Sequence, residues 1–205
     1  MTDWKTLNRP LILASQSPRR QEILTGMGLN FQIVKPLLEN EAAWIDSDNI
    51  SQSLEKLALA KALSVAEHNA DALILGADTV VMINGSILGK PSDATDASAM
   101  LTMLSGGTHQ VYSAVALHCA AENYHETACV CTMVYFRTIT RSEIADYLEH
   151  SEYRDKAGAY AIQGKAMTFI EKIDGCYYNV VGLPVAVTIE LFRKYTLRKE
   201  QQHAR

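Results

Sequence analysis

Two arginines near the amino terminus occupy positions where a helix disfavours positive charge. The segment Ser17-Pro18-Arg19-Arg20 predicts a helix with Ser17 as its N-cap and Pro18 as its first residue. Because the first turn of a helix already carries a partial positive charge, two arginines cost stability there unless an anion binds. The N–H groups of that turn, the hydroxyls of Ser15 and Ser17 and the guanidinium groups could together hold a phosphate. The alternative is that both arginines face solvent.

Two lysines also stand out from their surroundings. Lys61 falls inside the apolar arc of a helix predicted over residues 51–68, so its ammonium group either reaches solvent along its aliphatic stem or meets an anion. Lys90 lies between Gly89 and Pro91, in a loop that the proline stiffens. The alternative for Lys90 is an ordinary turn lysine. Both lysines are candidates for binding an anionic ligand.

A single carboxylate interrupts the most apolar stretch of the chain. Asp78 lies within residues 72–83, which are otherwise apolar and β-branched and predict a strand. A carboxylate in such a place is rare unless it is paired, hydrogen-bonded or bound to a metal. Its neighbours Gly76, Ala77 and Thr79 are small and leave room for a ligand. Asp78 could be a general base or a ligand of a hard divalent cation, and the alternative is a strand-end aspartate that caps a turn.

Strands and helices must position these residues, and the sequence predicts both. Apolar and β-branched runs predict strands, whereas helical periodicity with capping residues predicts helices. The predicted strands cover residues 11–14, 31–34, 72–83, 86–88, 109–118, 128–137 and 168–173, and the predicted helices cover 17–25, 51–68, 93–104, 140–150 and 184–195. The two types do not alternate regularly, so we expect an α/β or α+β fold with a mixed sheet.

Length and composition predict one globular domain. The 205 residues contain no long linker or internal repeat, so we expect a single domain over 1–205 with an ordered core at about 11–195 and a frayed tail at 196–205. The formal net charge of −4 provides no field that would attract DNA or RNA. No stretch approaches the ~20 apolar residues of a membrane span, and no signal peptide is evident. We therefore expect a cytoplasmic protein without nucleic-acid or membrane partners.

Several well-known motifs are absent. Residues 158–165 superficially suggest a phosphate-binding P-loop, but their glycine spacing and Ala166 exclude it. The chain has no G-x-G-x-x-G fingerprint, no G-x-S-x-G nucleophile elbow and no H-E-x-x-H zinc motif. Dehydrogenase, α/β-hydrolase and P-loop ATPase functions therefore lose their main support.

Six short blocks of sequence follow one another along the chain. They are L-A-S-x-S-P-R-R at 13–20, G-A-D-T-V-V at 76–81, L-G-K-P at 88–91, L-S-G-x-T-H-x-V-x-S at 104–113, A-G-A-Y-x-I-Q-G at 157–164 and V-G-L-P at 181–184. In this order, from about Leu11 to Arg193, they resemble the Maf family of nucleoside triphosphate pyrophosphatases. A single block would be weakly specific, whereas six in family order are highly specific.

The resemblance implies an elongated α/β fold with two lobes around a central cleft, related to the inosine triphosphate pyrophosphatases and often assembled as a homodimer. It also implies hydrolysis of a nucleoside triphosphate between the α- and β-phosphates, with a divalent cation, usually Mg²⁺ or Mn²⁺. The family's catalytic acid falls on Asp78. Its phosphate-binding residues fall on Ser15, Arg19, Arg20, Lys61 and Lys90, and its other acidic residue falls on Glu39, which would hold the metal together with Asp78.

The base preference implied by the resemblance is for dTTP and UTP. The block D-K-A-G-A-Y-x-I-Q-G at 155–164 is similar to the branch with that preference, and Arg19, Thr79 and Gln163 fall at positions associated with base choice. Ala161 stands where many members have glycine and adds a methyl group beside the pocket. Gln163 offers both a donor and an acceptor, as the O4/N3 edge of a pyrimidine requires. The alternative is the branch that prefers 7-methyl-GTP, which lacks this block.

The enzymatic hypothesis assigns Asp78 to a water molecule that attacks the α-phosphorus. Asp78 would orient or deprotonate that water, while the arginines, the lysines and the helix N-terminus neutralise charge on the departing pyrophosphate. The main competing role is a nucleotide-binding regulator without turnover, because members of the family are linked to inhibition of septum formation.

Overall fold

The fold is a mixed α/β arrangement, described over residues 4–203 by a computed structural model. Within this range the chain forms seven strands and six α-helices. The strands are β1 (Leu11–Ala14), β2 (Phe31–Ile33), β3 (Leu73–Ile83), β4 (Ser86–Leu88), β5 (Thr108–Cys119), β6 (Tyr124–Phe136) and β7 (Ile170–Asp174). The helices are α1 (Pro18–Gly26), α2 (Ile50–Ala66), α3 (Ala94–Leu104), α4 (Arg141–Glu149), α5 (Tyr177–Val181) and α6 (Val185–His203).

One sheet contains all seven strands. Its order is β2-β1-β3-β5-β6-β7, and β4 pairs with β3 outside this path. β1 runs parallel to both β2 and β3, with Leu13 opposite Ile33 and Ala14 opposite Gly76. β4 is antiparallel to β3, and β7 is antiparallel to β6. This mixed sheet with its helices confirms the predicted mixed α/β class.

The parallel strands β1 and β3 begin as continuous apolar runs because both of their faces are covered. All four residues of β1 are buried, as are the first five of β3. Ile12 of β1 and Ile74 of β3 pack against Val65 of α2 in one apolar cluster. A parallel strand segment buried on both faces needs no polar residue, so a polar residue directly after such a segment stands out.

Helix α2 approaches β3 unusually closely at Gly76. A methyl group at this position would overlap the main-chain oxygen of Ala58 and lie 3.1 Å from the main-chain nitrogen of Ala62. Because both atoms belong to the helix backbone, no side-chain rotation could make room for it. The absence of a side chain at Gly76 therefore allows α2 to pack this close to β3.

The chain divides into two compact units. Unit 1 comprises residues 1–78, 114–130 and 182–205, and unit 2 comprises residues 79–113 and 131–181. The core of unit 2 is aliphatic and aromatic and includes Val81, Leu101 and Phe136. Over residues 4–203, no helix combines the length and the apolar character that crossing a bilayer requires.

The predicted capping box of α4 is confirmed. The Thr140 side chain accepts a hydrogen bond from the Glu143 N–H, and Glu143 Oε2 accepts one from the Thr140 N–H at 2.8 Å. Hydrogen bonds from Arg137 and Thr140 lower the pKa of Glu143 to about 2. The capping box ends the segment that follows β6 and begins α4 at the predicted position.

Two element boundaries differ clearly from the predictions, and one helix was missed. β6 begins at Tyr124 rather than at residue 128, because pairing in the sheet carries the polar segment that precedes its apolar part. α6 continues to His203, although the sequence predicted its end at 195 and a tail beyond it, because Tyr195 and Thr196 are still buried. Positions 204 and 205 of that predicted tail lie outside the described residues. The short helix α5 was not predicted.

Candidate active site

The polar residues of unit 1 gather where β1 ends and its parallel pairing with β3 stops, while β3 itself continues to Ile83. From β1 the chain passes to β2 on one side of it, whereas β3 lies on the other side. In an open α/β sheet, ligands bind outside the carboxyl ends of the strands at such a topological switch point. Ser15 follows the last residue of β1, and Asp78 lies two residues beyond Gly76, the partner of Ala14. The topology thus supports a site at Ser15 and Asp78 independently of any motif.

Arg20 is a buried cation that binds protein acceptors at this point. Only 8% of the residue is exposed, and its Nη1 donates hydrogen bonds to Ser15 Oγ at 3.0 Å and to the Ala77 main-chain oxygen at 2.9 Å. Its Nε donates to the Gly182 main-chain oxygen at 2.9 Å. Burial lowers the pKa of Arg20, an effect that the charge of Asp78 opposes, but an arginine remains protonated at neutral pH. The alternative of two solvent-facing arginines is therefore wrong for Arg20.

The N-terminus of α1 lies close to Ser15 and carries positive charge. Ser17 is the N-cap residue, but its side chain makes no capping hydrogen bond, and its N–H donates to Ser15 Oγ at 3.2 Å. No acidic residue lies in the first turn. Arg19 is half-buried, and its charge is close enough to lower the pKa of Arg20. The helix therefore begins with two guanidinium groups and no acid of its own, which suits an anion.

Lys61 joins two carboxylates beside the middle of β3, where the pairing with β1 has just ended. Only 5% of the Lys61 surface is exposed. Its Nζ donates hydrogen bonds to Asp78 Oδ1 at 2.7 Å and to Glu41 Oε2 at 2.9 Å. The first alternative, an ammonium that reaches solvent, is therefore wrong, because Lys61 meets anions supplied by the chain itself. The side chain of Asp78 is 17% exposed and that of Glu41 is 45% exposed. One side of this ion-pair cluster is thus open to a ligand.

Glu41 is the acidic residue that sequence reasoning missed. Glu39, the residue assigned from the resemblance, is exposed, and among the described residues its side chain has no hydrogen-bond or ion-pair partner. Glu41 instead opens a 3₁₀ helix, Glu41–Trp44, which follows Asn40 in the left-handed region with φ 48° and ψ 51°. The only signal in the sequence was the short spacing between the two glutamates.

Unit 2 contains the other predicted residues, Thr79, Lys90 and Gln163. Thr79 is half-buried, and its Oγ1 lies 2.8 Å from Ser113 Oγ. Lys90 and Gln163 are exposed, and within residues 4–203 neither side chain has a hydrogen-bond partner. The loop of Lys90 is held against the glycine-rich segment of the same unit, because the Gly89 main-chain oxygen accepts a hydrogen bond from the Gly158 N–H at 3.0 Å.

The glycine-rich segments of unit 2 are tied together by a buried histidine. His109 Nε2 and Tyr160 Oη are hydrogen-bonded at 2.7 Å, and the His109 ring packs edge-on against Phe136. Burial lowers the pKa of His109 to about 4, so the imidazole is neutral at pH 7. The segments at 105–109 and 155–164 therefore meet in the core through these side chains, and His109 belongs to the core.

Buried cations and paired carboxylates at the switch point of an open α/β sheet define a class of protein that binds anionic ligands. Within this class, the chain belongs to the Maf family. The family model described as "Maf-like protein" matches residues 10–195, nearly the whole of the described chain.

Named relatives share most of this sequence. The chain is 44% identical over 187 residues to a dTTP/UTP pyrophosphatase of Symbiobacterium thermophilum, covering 90% of this chain and 93% of the relative. It is equally similar over 187 residues to a dTTP/UTP pyrophosphatase of Bacillus pumilus, with 90% and 96% covered. A dTTP/UTP pyrophosphatase of Escherichia coli is 44% identical over 194 residues, with 94% and 96% covered.

Proposed function

We propose that this protein hydrolyses nucleoside triphosphates, with dTTP and UTP as its preferred substrates, to nucleoside monophosphate and pyrophosphate. The observation that carries the proposal is the buried Lys61 ammonium held between Asp78 and Glu41 at the switch point of the sheet. The names of relatives that share 44% of the sequence support the choice of reaction and substrate.

The proposed reaction is an attack by water on the α-phosphorus. The water oxygen forms a bond to this phosphorus, and the bond from the phosphorus to the oxygen that bridges to the β-phosphate breaks. The bridging oxygen leaves with pyrophosphate. Asp78 Oδ2, the oxygen that Lys61 does not contact, orients the water and accepts one of its protons. The task requires a carboxylate that is fixed yet open to the ligand, and the Lys61 ion pair fixes Asp78 from its other oxygen.

The positive groups of unit 1 stabilise the charge that develops on the phosphates. Lys61 lies within hydrogen-bond distance of Asp78, so its ammonium is held beside the attacked phosphate. We assign Arg19 and the N–H groups at the start of α1 to the binding of phosphate oxygens. Arg20 has its Nε and Nη1 engaged with main-chain oxygens and Ser15, so we assign it mainly to holding the end of β1 against β3. Fixed cations of this kind supply most of the catalysis in phosphoryl chemistry.

A divalent cation, Mg²⁺ or Mn²⁺, fits the acidic pair at Lys61. In the described part of the chain, no three His, Cys, Asp or Glu side chains converge as a self-sufficient metal site. However, Mg²⁺ is commonly held by only one or two carboxylates together with substrate phosphates and water. Asp78 and Glu41 meet that requirement, because their carboxylates lie side by side at the Lys61 ammonium and each keeps lone pairs that Lys61 does not occupy. When bound there, the cation would neutralise negative charge on the triphosphate.

This assignment predicts different effects of two similar substitutions. We expect Glu41→Gln to raise the Mg²⁺ concentration needed for half-maximal pyrophosphate release by about tenfold or more, because one of two carboxylate ligands loses its charge. Glu39→Gln makes the same chemical change two residues away on an exposed side chain and serves as the matched control. Titration of pyrophosphate release with Mg²⁺ measures both. A shift confined to Glu39→Gln would instead support the residue assigned from the resemblance.

Base recognition is assigned to unit 2, to Thr79 and Gln163. The carboxamide of Gln163 is exposed and offers both a donor and an acceptor to a pyrimidine edge. Purine bases present a different set of donors and acceptors, so they would leave polar atoms of the protein unpaired.

Pyrophosphate release from a panel of nucleotides tests the proposed function. With Mg²⁺ or Mn²⁺ present, we expect kcat/KM for dTTP and UTP to exceed that for ATP, GTP, CTP and 7-methyl-GTP by at least about tenfold. A preference for 7-methyl-GTP would keep the reaction but overturn the role of Gln163. Nucleotide binding without any turnover would overturn the enzymatic function in favour of a nucleotide-binding regulator.

A further inference from the structure

The segment that carries Gln163 is held on both sides by contacts within unit 2. On its amino-terminal side, Tyr160 is buried and its Oη is hydrogen-bonded to His109 Nε2 at 2.7 Å. On its carboxyl-terminal side, the main-chain N–H of Lys165 donates a hydrogen bond to Glu152 Oε2 at 2.8 Å. Gln163 itself is exposed between these two contacts. The position of its backbone therefore depends on Glu152, a residue to which the proposed reaction gives no part.

Gly164 lets the Glu152 carboxylate come unusually close to the backbone. A methyl group at Gly164 would lie 2.6 Å from Glu152 Oε2 and 3.3 Å from the carboxyl carbon. Because these distances are inside van der Waals contact, a side chain at this position would push the carboxylate away. Gly164 also has φ 101° and ψ −159°, a conformation that residues with a side chain rarely adopt. The chain thus takes a glycine-specific conformation directly after Gln163, and the carboxylate lies against it.

The Glu152 carboxylate also stabilises the turn of helix that follows the glycine. Lys165 is the first residue of a 3₁₀ helix, Lys165–Phe169, so its N–H has no acceptor within that helix. Glu152 supplies a charged acceptor, and such a hydrogen bond is stronger than one between neutral groups. Phe169, the last residue of this helix, is buried in the core of unit 2. The hydrogen bond therefore ties the segment of Gln163 to a fixed part of the unit.

Glu152 can serve as an anchor because its own backbone is fixed. The next residue, Tyr153, is buried in the same core. The main-chain N–H of Arg154 donates to the Ser151 main-chain oxygen at 3.3 Å, which closes a turn around Glu152. Glu152 itself is only half-buried, so its side chain can be replaced without opening the core.

We propose that Glu152 is a positioning residue that holds the backbone of Gln163 in place for the nucleotide base and thereby sharpens the preference for uracil and thymine. The inference rests on the proposed function, because it concerns how that site distinguishes its substrates. Glu152 acts only through the backbone of Gly164 and Lys165, next to the residue that reads the base.

An exposed side chain distinguishes two bases well only if its backbone is held still. The carboxamide of Gln163 carries a donor on one side and an acceptor on the other. Uracil and thymine present an acceptor at O4 and a donor at N3, whereas cytosine presents a donor at its 4-amino group and an acceptor at N3. A mobile backbone would give the carboxamide more positions from which to meet the base, including positions that suit cytosine. It would also have to be ordered each time a nucleotide binds, which lowers affinity.

The test compares UTP with CTP, which differ only in the base. Glu152→Ala removes the acceptor for the Lys165 N–H, and we expect the ratio of kcat/KM for UTP over CTP to fall by about fivefold or more. The change should appear mainly as a higher KM for UTP, with kcat within about twofold of the wild type, because the substitution weakens base binding and leaves Asp78 and Lys61 intact.

Two further variants show whether the hydrogen bond is responsible. Glu152→Gln keeps a side-chain oxygen that can accept from the Lys165 N–H, so it should retain most of the wild-type ratio. Glu149→Ala removes an exposed glutamate three residues away and is the matched control, whose ratio should equal that of the wild type.

A double variant separates positioning from damage to the fold. In the Gln163→Ala background, Glu152→Ala should cause no further change in the ratio, because the side chain that it positions is gone. Equal losses for UTP and CTP in Glu152→Ala, or a further fall of the ratio in the double variant, would overturn the inference while leaving the proposed function intact. If the wild-type protein released pyrophosphate from neither nucleotide, or from both equally well, the proposed function would fail and this inference with it.

Discussion

Replacing Asp78 with asparagine is expected to lower kcat for dTTP hydrolysis by about 10²–10⁴-fold, while the Kd for dTTP stays within about tenfold. Asparagine has nearly the same shape, and its carbonyl oxygen can still accept a hydrogen bond from the Lys61 ammonium that now lies 2.7 Å from Asp78 Oδ1. The amide has no oxygen that can take a proton from water. The substitution therefore removes the base and leaves the surrounding cations in place.

Three measurements together decide the role of Asp78. Pyrophosphate release gives kcat, calorimetric titration with dTTP gives Kd, and Asp71→Asn provides a matched control on an exposed aspartate of unit 1. We expect Asp71→Asn to retain wild-type kcat. If binding in the presence of Mg²⁺ collapses along with kcat in Asp78→Asn, Asp78 is chiefly a metal ligand rather than a base. An Asp78→Asn protein with full activity would contradict both roles.

Replacing Gly76 with alanine is expected to cost about 3 kcal/mol or more in the free energy of unfolding. The added methyl group would overlap the main-chain oxygen of Ala58 and crowd the main-chain nitrogen of Ala62. Because the whole of α2 would have to move, the ion pair between Lys61 on that helix and Asp78 on β3 would be displaced as well. We therefore expect reduced pyrophosphate release even at temperatures where the variant is folded.

Urea unfolding followed by circular dichroism measures this loss. Gly26→Ala is the matched control, because a methyl group at Gly26 in α1 would have no heavy atom within 4 Å. Its free energy of unfolding should change little or rise slightly, since alanine favours a helix over glycine. Equal stability of Gly76→Ala and the wild type would show that α2 and β3 can separate without cost, contrary to the packing described here.

The residues that the sequence revealed best are those that conflict with their surroundings. Lys61 stood in the apolar arc of a helix and Asp78 in an apolar strand, and the structure pairs the two at 2.7 Å. A charge in an apolar setting either reaches solvent or finds a partner, so the pattern marked both residues as candidates for a paired charge. It could not tell whether the partner was a ligand or another residue of the chain.

Glu41 and Ser113 show what periodicity cannot predict. Glu41 reaches Lys61 because the chain turns at Asn40 into a short 3₁₀ helix, and such an irregular turn has no repeating hydrophobic pattern. Ser113 is a small polar residue in a strand, where serine causes no visible conflict. Its hydroxyl donates to the main-chain oxygen of Asn179, which is 66 residues away in the sequence, so only the folded chain reveals this contact.

The order of synthesis decides when Arg20 can reach one of its hydrogen-bond acceptors. All the residues of unit 2 exist once Val181 has been added, but unit 1 still lacks its last stretch, from Gly182 onward. Arg20 Nε finds its acceptor on Gly182, 162 residues later than itself. During translation, the Arg20 guanidinium therefore stays hydrated until Gly182 is present, because burying it without that acceptor would be unfavourable. The emerging polypeptide can therefore complete this hydrogen bond at the switch point only after all of unit 2 has been synthesised.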